Sequence, residues 1–122
     1  MSTPPIPPSH LRLKRAYELA EPGDGVRILV DRLWPRGVSK AEAALDEWMK
    51  DVAPSTELRQ WFGHDPGRWV EFQRKYKAEL RQHGPDLDRI RDLAKTQTVT
   101  LVYSARDEEH NDAVVLRDVL LA

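Results

Sequence analysis

Val26-Arg27-Ile28-Leu29-Val30 is the stretch whose reading decides the fold. It is β-branched and nearly all apolar, with Arg27 as its one interruption. Runs without polar alternation mark strands covered on both faces, as in parallel sheets. The run ends in Asp31-Arg32-Leu33-Trp34-Pro35-Arg36-Gly37, a polar stretch holding Pro and Gly. Val99-Thr100-Leu101-Val102-Tyr103 has the same character and ends in the polar segment Ser104 to Asn111.

Elements of other kinds fill the space around these two strands. Leu11 to Leu19 alternates apolar and polar residues and predicts a half-exposed first strand. Glu21-Pro22-Gly23-Asp24-Gly25 is a turn cluster between it and the buried strand. Ser39-Lys40-Ala41-Glu42 is a capping box, in which the serine hydroxyl and the glutamate satisfy backbone N–H groups at a helix start. After it we expect a short helix and then an edge strand over 46–52. Pro54-Ser55 opens a helix through Leu58, Trp61 and Phe62. Gly63-His64-Asp65-Pro66 breaks and recaps it, with Asp65 as N-cap and Pro66 first in the helix. Trp69, Phe72, Tyr76 and Leu80 then recur at helical spacing up to about Gln82, with Glu71–Lys75 as an i,i+4 pair. Gly84-Pro85 is expected to end that helix. Asp86 to Lys95 and Asp112 to Leu121 are further amphipathic helices. Strands alternating with helices predict an α/β layered domain, with a mostly parallel sheet of about four strands flanked by helices.

The composition sets outer limits. A chain of 122 residues is one domain by length and can bury a core unaided. We expect 1–9, with Pro4, Pro5, Pro7 and Pro8, to be a flexible tail without signal-peptide character, and 10–122 to be the single domain. Lys+Arg number 19 and Asp+Glu 20, so the net charge of −1 offers no global attraction to nucleic acid or anionic membrane. An anion site must be local. There is no cysteine, which excludes disulfides, thiolate catalysis and Cys-ligated zinc. No apolar run approaches the roughly 20 residues of a membrane span, so no membrane partner and a cytoplasmic location are expected.

The two buried strands suggest where chemistry would sit. In open α/β sheets ligands bind outside the carboxyl ends of the strands. If the two strands are parallel neighbours, Asp31, Arg32, Arg36 and Lys40 meet Arg106, Asp107, His110 and Asn111. Arg32, Arg36 and Arg106 can hold a phosphate or carboxylate through guanidinium forks. Lys40 and Asn111 would add donors, and Trp34 and Tyr103 would wall the site. Asp31, Asp107 and His110 are the candidate acid–base, that is catalytic, groups. The bland alternative is that Asp31, Arg32, Arg36 and Asp107 form ion pairs that lock the loops. His64-Asp65-Pro66 reads as cap chemistry, and Trp48, Trp61 and Trp69 read as core. No two histidines stand at metal-ligand spacing, so we expect no metal and no cofactor. The leading expectation is a small anionic ligand, a nucleotide among the options, that is bound and, as a further option, acted upon. The rival is a non-enzymatic nucleic-acid or protein-binding module.

The stretches Val30 to Gly37, Ala53-Pro54-Ser55, Leu58-Arg59, Trp61-Phe62, His64-Asp65-Pro66 and Tyr103 to Asn111 resemble the YeaO-like branch of the DUF family 488. The resemblance runs from about residue 10 to residue 121. It implies a small Rossmann-like α/β domain in a bacterial protein and no particular substrate. The wider family carries Cys-His-Arg in the loop after the later strand. Arg106 to Asn111 has no cysteine, so a thiol-dependent role does not carry over. Asp112 also departs from the His or Asn of relatives, and a carboxylate there makes the helix start less welcoming to an anion.

Overall fold

One sheet organises the chain, in the strand order β1-β4-β2-β3 and parallel throughout. The strands are β1 (Leu11–Arg15), β2 (Val26–Leu29), β3 (Glu47–Trp48) and β4 (Val99–Tyr103). The helices are α1 (Lys40–Ala43), α2 (Thr56–Phe62), α3 (Trp69–Leu80), α4 (Gly84–Thr96) and α5 (Asp112–Leu121). This computed structural model describes residues 6–122, and the first five residues of the expected tail lie outside the described ones. Within the remainder of that segment, Ile6 packs against the core and Pro8–His10 forms a 3-10 turn. Arg117 Nη2 donates to the Pro8 carbonyl at 3.0 Å.

Side chains alternate across a strand, so the sheet has two different faces. Leu11, Ile28, Val30, Val99, Leu101 and Tyr103 join the main core with Phe62, Phe72, Tyr76, Ile90 and Leu116 from the helices. The other face is thinner and partly ionic. Leu29 and Val102, opposite each other in register, make a small cluster with Ala16, against which Trp34, Leu45 and Trp48 pack. Further along, Arg27 lies opposite Thr100. Arg27 Nη1 reaches Asp24 Oδ2 at 2.7 Å, and Lys14 Nζ reaches Asp24 Oδ1 at 3.1 Å. Arg27 Nε and Nη2 both donate to the Ala43 carbonyl, at 3.1 and 2.8 Å. The polar interruption in the β2 run is therefore fully partnered, as a buried charge must be.

This ionic face follows from the β1–β2 connection. The two strands are parallel but flank β4, so residues 16–25 must return the chain across the sheet. Parallel crossovers usually use a helix. This one uses a 3-10 turn, Pro22–Asp24, that presents Asp24 to the sheet. Gly25 has φ +64°, and a Cβ there would fall 2.1 Å from the Thr98 carbonyl oxygen. Only glycine fits that corner.

Several elements differ from their sequence expectations for local reasons. β1 stops at Arg15 rather than Leu19, because Glu18 N donates back to the Arg15 carbonyl and closes a turn. Tyr17 and Leu19 are left exposed. The short helix and following edge strand are present, with the strand confined to Glu47–Trp48 before a 3-10 turn over Lys50–Val52. Gly84-Pro85 opens α4 instead of closing α3, since Gly84 is right-handed helical and proline is tolerated in a first turn. Glu71 pairs with Arg74, while the Lys75 ammonium lies 4.7 Å from the Trp61 ring centroid. Among the described residues no helix is long and apolar enough to cross a membrane.

Candidate functional site

β2 and β4 are neighbours, so the segments that follow them meet. After β2 the chain moves outward to β3; after β4 it enters α5, which packs against β1 and β4. The divergence leaves a cleft of about 710 Å³ at the carboxyl ends. It is lined by Asp31, Arg32 and Leu33 from the first loop, and by Ser104, Arg106, Asp107, His110 and Asn111 from the second. Arg59, Phe62 and His64 from the α2 end, Phe72 from α3 and Asp112 from α5 complete the wall.

The loop contacts are specific. Asp31 Oδ2 accepts the Ser104 backbone N–H and the Ser104 hydroxyl, both at 2.8 Å. The Asp31 carbonyl accepts Trp48 Nε1 at 2.7 Å. Arg32 donates to the Pro54 and Ala53 carbonyls, at 3.2 and 3.4 Å, which anchors its guanidinium. In the second loop, Asp107 Oδ1 accepts the N–H groups of Glu109 and His110, at 2.9 and 3.0 Å. Its other oxygen lies 2.9 Å from His110 Nδ1. These bonds, the backbone N–H groups of Glu109 and His110 foremost, hold the Asp107 carboxyl below its ordinary range. With Nδ1 occupied, Nε2 is the nitrogen of His110 left for a ligand. Trp69 supports the same ring edge-on, at 5.1 Å between centroids. Asn111 caps α5 by accepting Val114 N–H at 3.1 Å.

Asp112 has the opposite electrostatic character. Burial pushes its carboxyl well above the ordinary range, and the neighbouring Asp31 charge, together with a hydrogen bond to Asp31, pushes it further. This shift favours the neutral form of Asp112 at the start of α5. The repulsion of an anion that a carboxylate at this position would exert is thereby weakened.

Of the residues expected from sequence, Asp31, Arg32, Arg106, Asp107, His110 and Asn111 come together in the cleft. Four others do not line it. Trp34 turns to the opposite face, where Nε1 donates to the Val38 carbonyl at 2.6 Å and the ring meets Trp48 edge-on at 5.4 Å. Arg36 is exposed beyond it, with its carbonyl accepting the Tyr17 hydroxyl. Lys40 begins α1 and borders a shallow groove beside Trp34. Tyr103 alternates into the helix-side core, and burial raises its hydroxyl pKa. The mutual ion pairs of Asp31, Arg32, Arg36 and Asp107, the alternative reading of these residues, are absent among the described residues; carboxylate-to-N–H bonds from Asp31 and Asp107 and guanidinium-to-carbonyl bonds from Arg32 lock the loops instead.

Arg59, Phe62, Phe72 and Asp112 were not read as site residues. Their helical periodicity carried no chemical signal, although Leu58-Arg59 and Trp61-Phe62 belong to the runs that carry the family resemblance. His64-Asp65-Pro66 does cap, with Asp65 Oδ1 accepting Gly67 N–H at 2.9 Å, and His64 also lines the cleft, from a left-handed backbone at φ 57°. Among the described residues no three His, Asp or Glu side chains are grouped as metal ligands.

Sheet and cleft define a small all-parallel α/β domain whose ligand-sized cavity opens at the strands' carboxyl ends. Residues 10–122 match the family described as "Inactive DUF488-N3 subclade", and the chain belongs to this YeaO-like branch of DUF488. It is similar to "Uncharacterized protein YeaO" of Escherichia coli (strain K12), with 50% identity over 111 residues, 91% of this chain and 96% of the relative. An uncharacterized protein of Mycobacterium tuberculosis is 41% identical over 112 residues, 92% of this chain and 94% of its own. No solved structure matches.

Proposed function

We propose that the chain binds a small phosphate- or carboxylate-bearing ligand in this cleft, and that it works as a binding protein rather than a catalyst. The observation that carries the proposal is the presence of Arg59 and Arg106 on the cleft wall with no acidic partner among the described residues. A guanidinium without a carboxylate, at the carboxyl end of a parallel sheet, is chemistry ready for an oxyanion. His110, held through Nδ1 by Asp107, lines the same cleft with its Nε2 unused among the described residues. The description of the subclade as inactive supports binding without turnover. Ligands of this class are intracellular metabolites, so the cytoplasm is the compartment we propose.

The test is a thermal-shift screen with inorganic phosphate, sugar phosphates, nucleoside monophosphates and dicarboxylates. At about 100 times Kd, binding adds about 2.7 kcal/mol, which is about 10 °C for a chain of 122 residues. Arg106→Ala, at an exposed position, should abolish the shift while the unliganded Tm stays within about 2 °C. Arg36→Ala should leave the shift intact. A shift of full size in Arg106→Ala, or no shift with any of these compounds, would refute the proposal. A shift seen only with single-stranded oligonucleotides, falling steeply with salt, would favour nucleic acid instead.

A further inference from the structure

Resting on the anion site proposed above, we infer that the cleft takes an oxyanion joined to a flat apolar ring, with the anion at Arg59 and Arg106 and the ring against Leu33. The three arginines of the wall are not equivalent. Arg32 spends Nε and Nη2 on the Pro54 and Ala53 carbonyls, so it is fixed in place and has fewer donors left for a ligand. Arg59 and Arg106 have no such commitments among the described residues. The anion therefore belongs on the side formed by α2 and the loop after β4. A guanidinium held in its plane by carbonyls keeps its faces for stacking, which suits a ring on the other side.

Leu33 points to the same division. It follows Arg32 directly and lines the cleft, yet it is 60% exposed. A lone exposed leucine needs no explanation on an open surface, but this one continues an apolar wall with Pro54, Phe62 and Phe72. Such a mix, mostly apolar walls with a few convergent polar groups, is the usual character of sites for organic ligands. The volume agrees. About 710 Å³ lies within the roughly 300–1,000 Å³ of pockets that enclose drug-sized molecules, and far exceeds the space of a bare phosphate. The shared chemistry, a ring bearing an oxyanion, includes nucleoside and aryl phosphates.

Isothermal titration of the full chain with inorganic phosphate, ribose 5-phosphate, phenyl phosphate and adenosine monophosphate tests this. Burying about 60 Å² of ring at about 25 cal/mol per Å² makes the ring-bearing phosphates about tenfold tighter than ribose 5-phosphate. Leu33→Ser, a change at an exposed position that circular dichroism would check for folding, should remove most of that advantage and leave inorganic phosphate unaffected. Arg106→Ala should weaken all of them. Adenosine monophosphate ahead of phenyl phosphate identifies a nucleoside ligand; equality of the two identifies the ring alone. Equal affinity for ring-bearing and ring-free phosphates overturns this inference and leaves the anion site standing. No binding of any phosphate or carboxylate removes both.

Discussion

Replacing Asp112 by asparagine should stabilise the protein, and the gain should grow with pH. The Asp112 carboxyl is raised well above its ordinary range, by burial first and by the adjacent Asp31 charge second. A raised folded pKa means that the native state holds a proton the unfolded chain has lost. Stability contributed by that proton is fully present below about pH 4, the ordinary aspartate value, and declines as pH rises towards the folded pKa. The slope is about 1.4 kcal/mol per pH unit in that window. For 122 residues, with about 2.1 cal/mol/K of unfolding entropy each, this is about 5 °C of Tm per unit. Asparagine is nearly isosteric with the protonated acid and can still donate to Asp31, but it has no proton to lose. Thermal unfolding of Asp112→Asn and the parent should therefore coincide near pH 4 and diverge above it, with the variant ahead. A difference that stays flat with pH, or a variant that is less stable at pH 7, would refute the assignment of Asp112 as the protonated partner of Asp31.

Three other substitutions examine the frame that holds the site. Asp24→Asn removes the counter-charge of buried Lys14 and Arg27 and should cost about 3–5 kcal/mol in denaturant unfolding. Burial works against the Asp24 charge, but hydrogen bonds from Glu21 N–H, Lys14 and Arg27 outweigh it and lower its pKa. Its contribution is thus present above the ordinary carboxylate range and lost as pH falls through the lower folded value, so the variant should differ least from the parent in strong acid. Tyr76→Phe takes a donor from the buried Val52 carbonyl and should cost about 1–3 kcal/mol, read as a lower midpoint with an unchanged m-value. Gly25→Ala forces a Cβ against the Thr98 carbonyl at positive φ, and should cost at least the roughly 1–3 kcal/mol of such a strained backbone, measured by Tm.

Much of the secondary structure was legible because its causes are local. Ser39 and Glu42 satisfy each other's backbone donors wherever the chain goes, and α1 starts where they stand. Val99 to Tyr103 is a strand with the expected bounds, because an unbroken apolar run needs cover on both faces. α5 has the expected bounds, Asp112–Leu121, and the structure adds the Asn111 side chain as its cap. The misreadings came where one residue serves two neighbours. Gly84-Pro85 is compatible with ending one helix or opening the next, and packing of α4 against the sheet decided for opening. In Trp34, a loop tryptophan between charged residues reads as a ligand wall, but it packs against the small apolar cluster on the second face and donates to the Val38 carbonyl.

By itself the sequence determined that there would be buried parallel strands, where their polar ends lie, and that any attraction to anions must be local, since hydropathy period, capping chemistry and net charge are properties of the chain. The tertiary structure alone decided which polar ends meet. Inserting β4 between β1 and β2 set the loop after β2 beside the loop after β4, paired Asp31 with Asp112, and brought Arg59 and His64 in from α2. The physical reason is range. Caps and strand periodicity act over a few residues, whereas the raised pKa of Asp112 and the uncommitted state of Arg106 depend on groups brought near only when the core has packed.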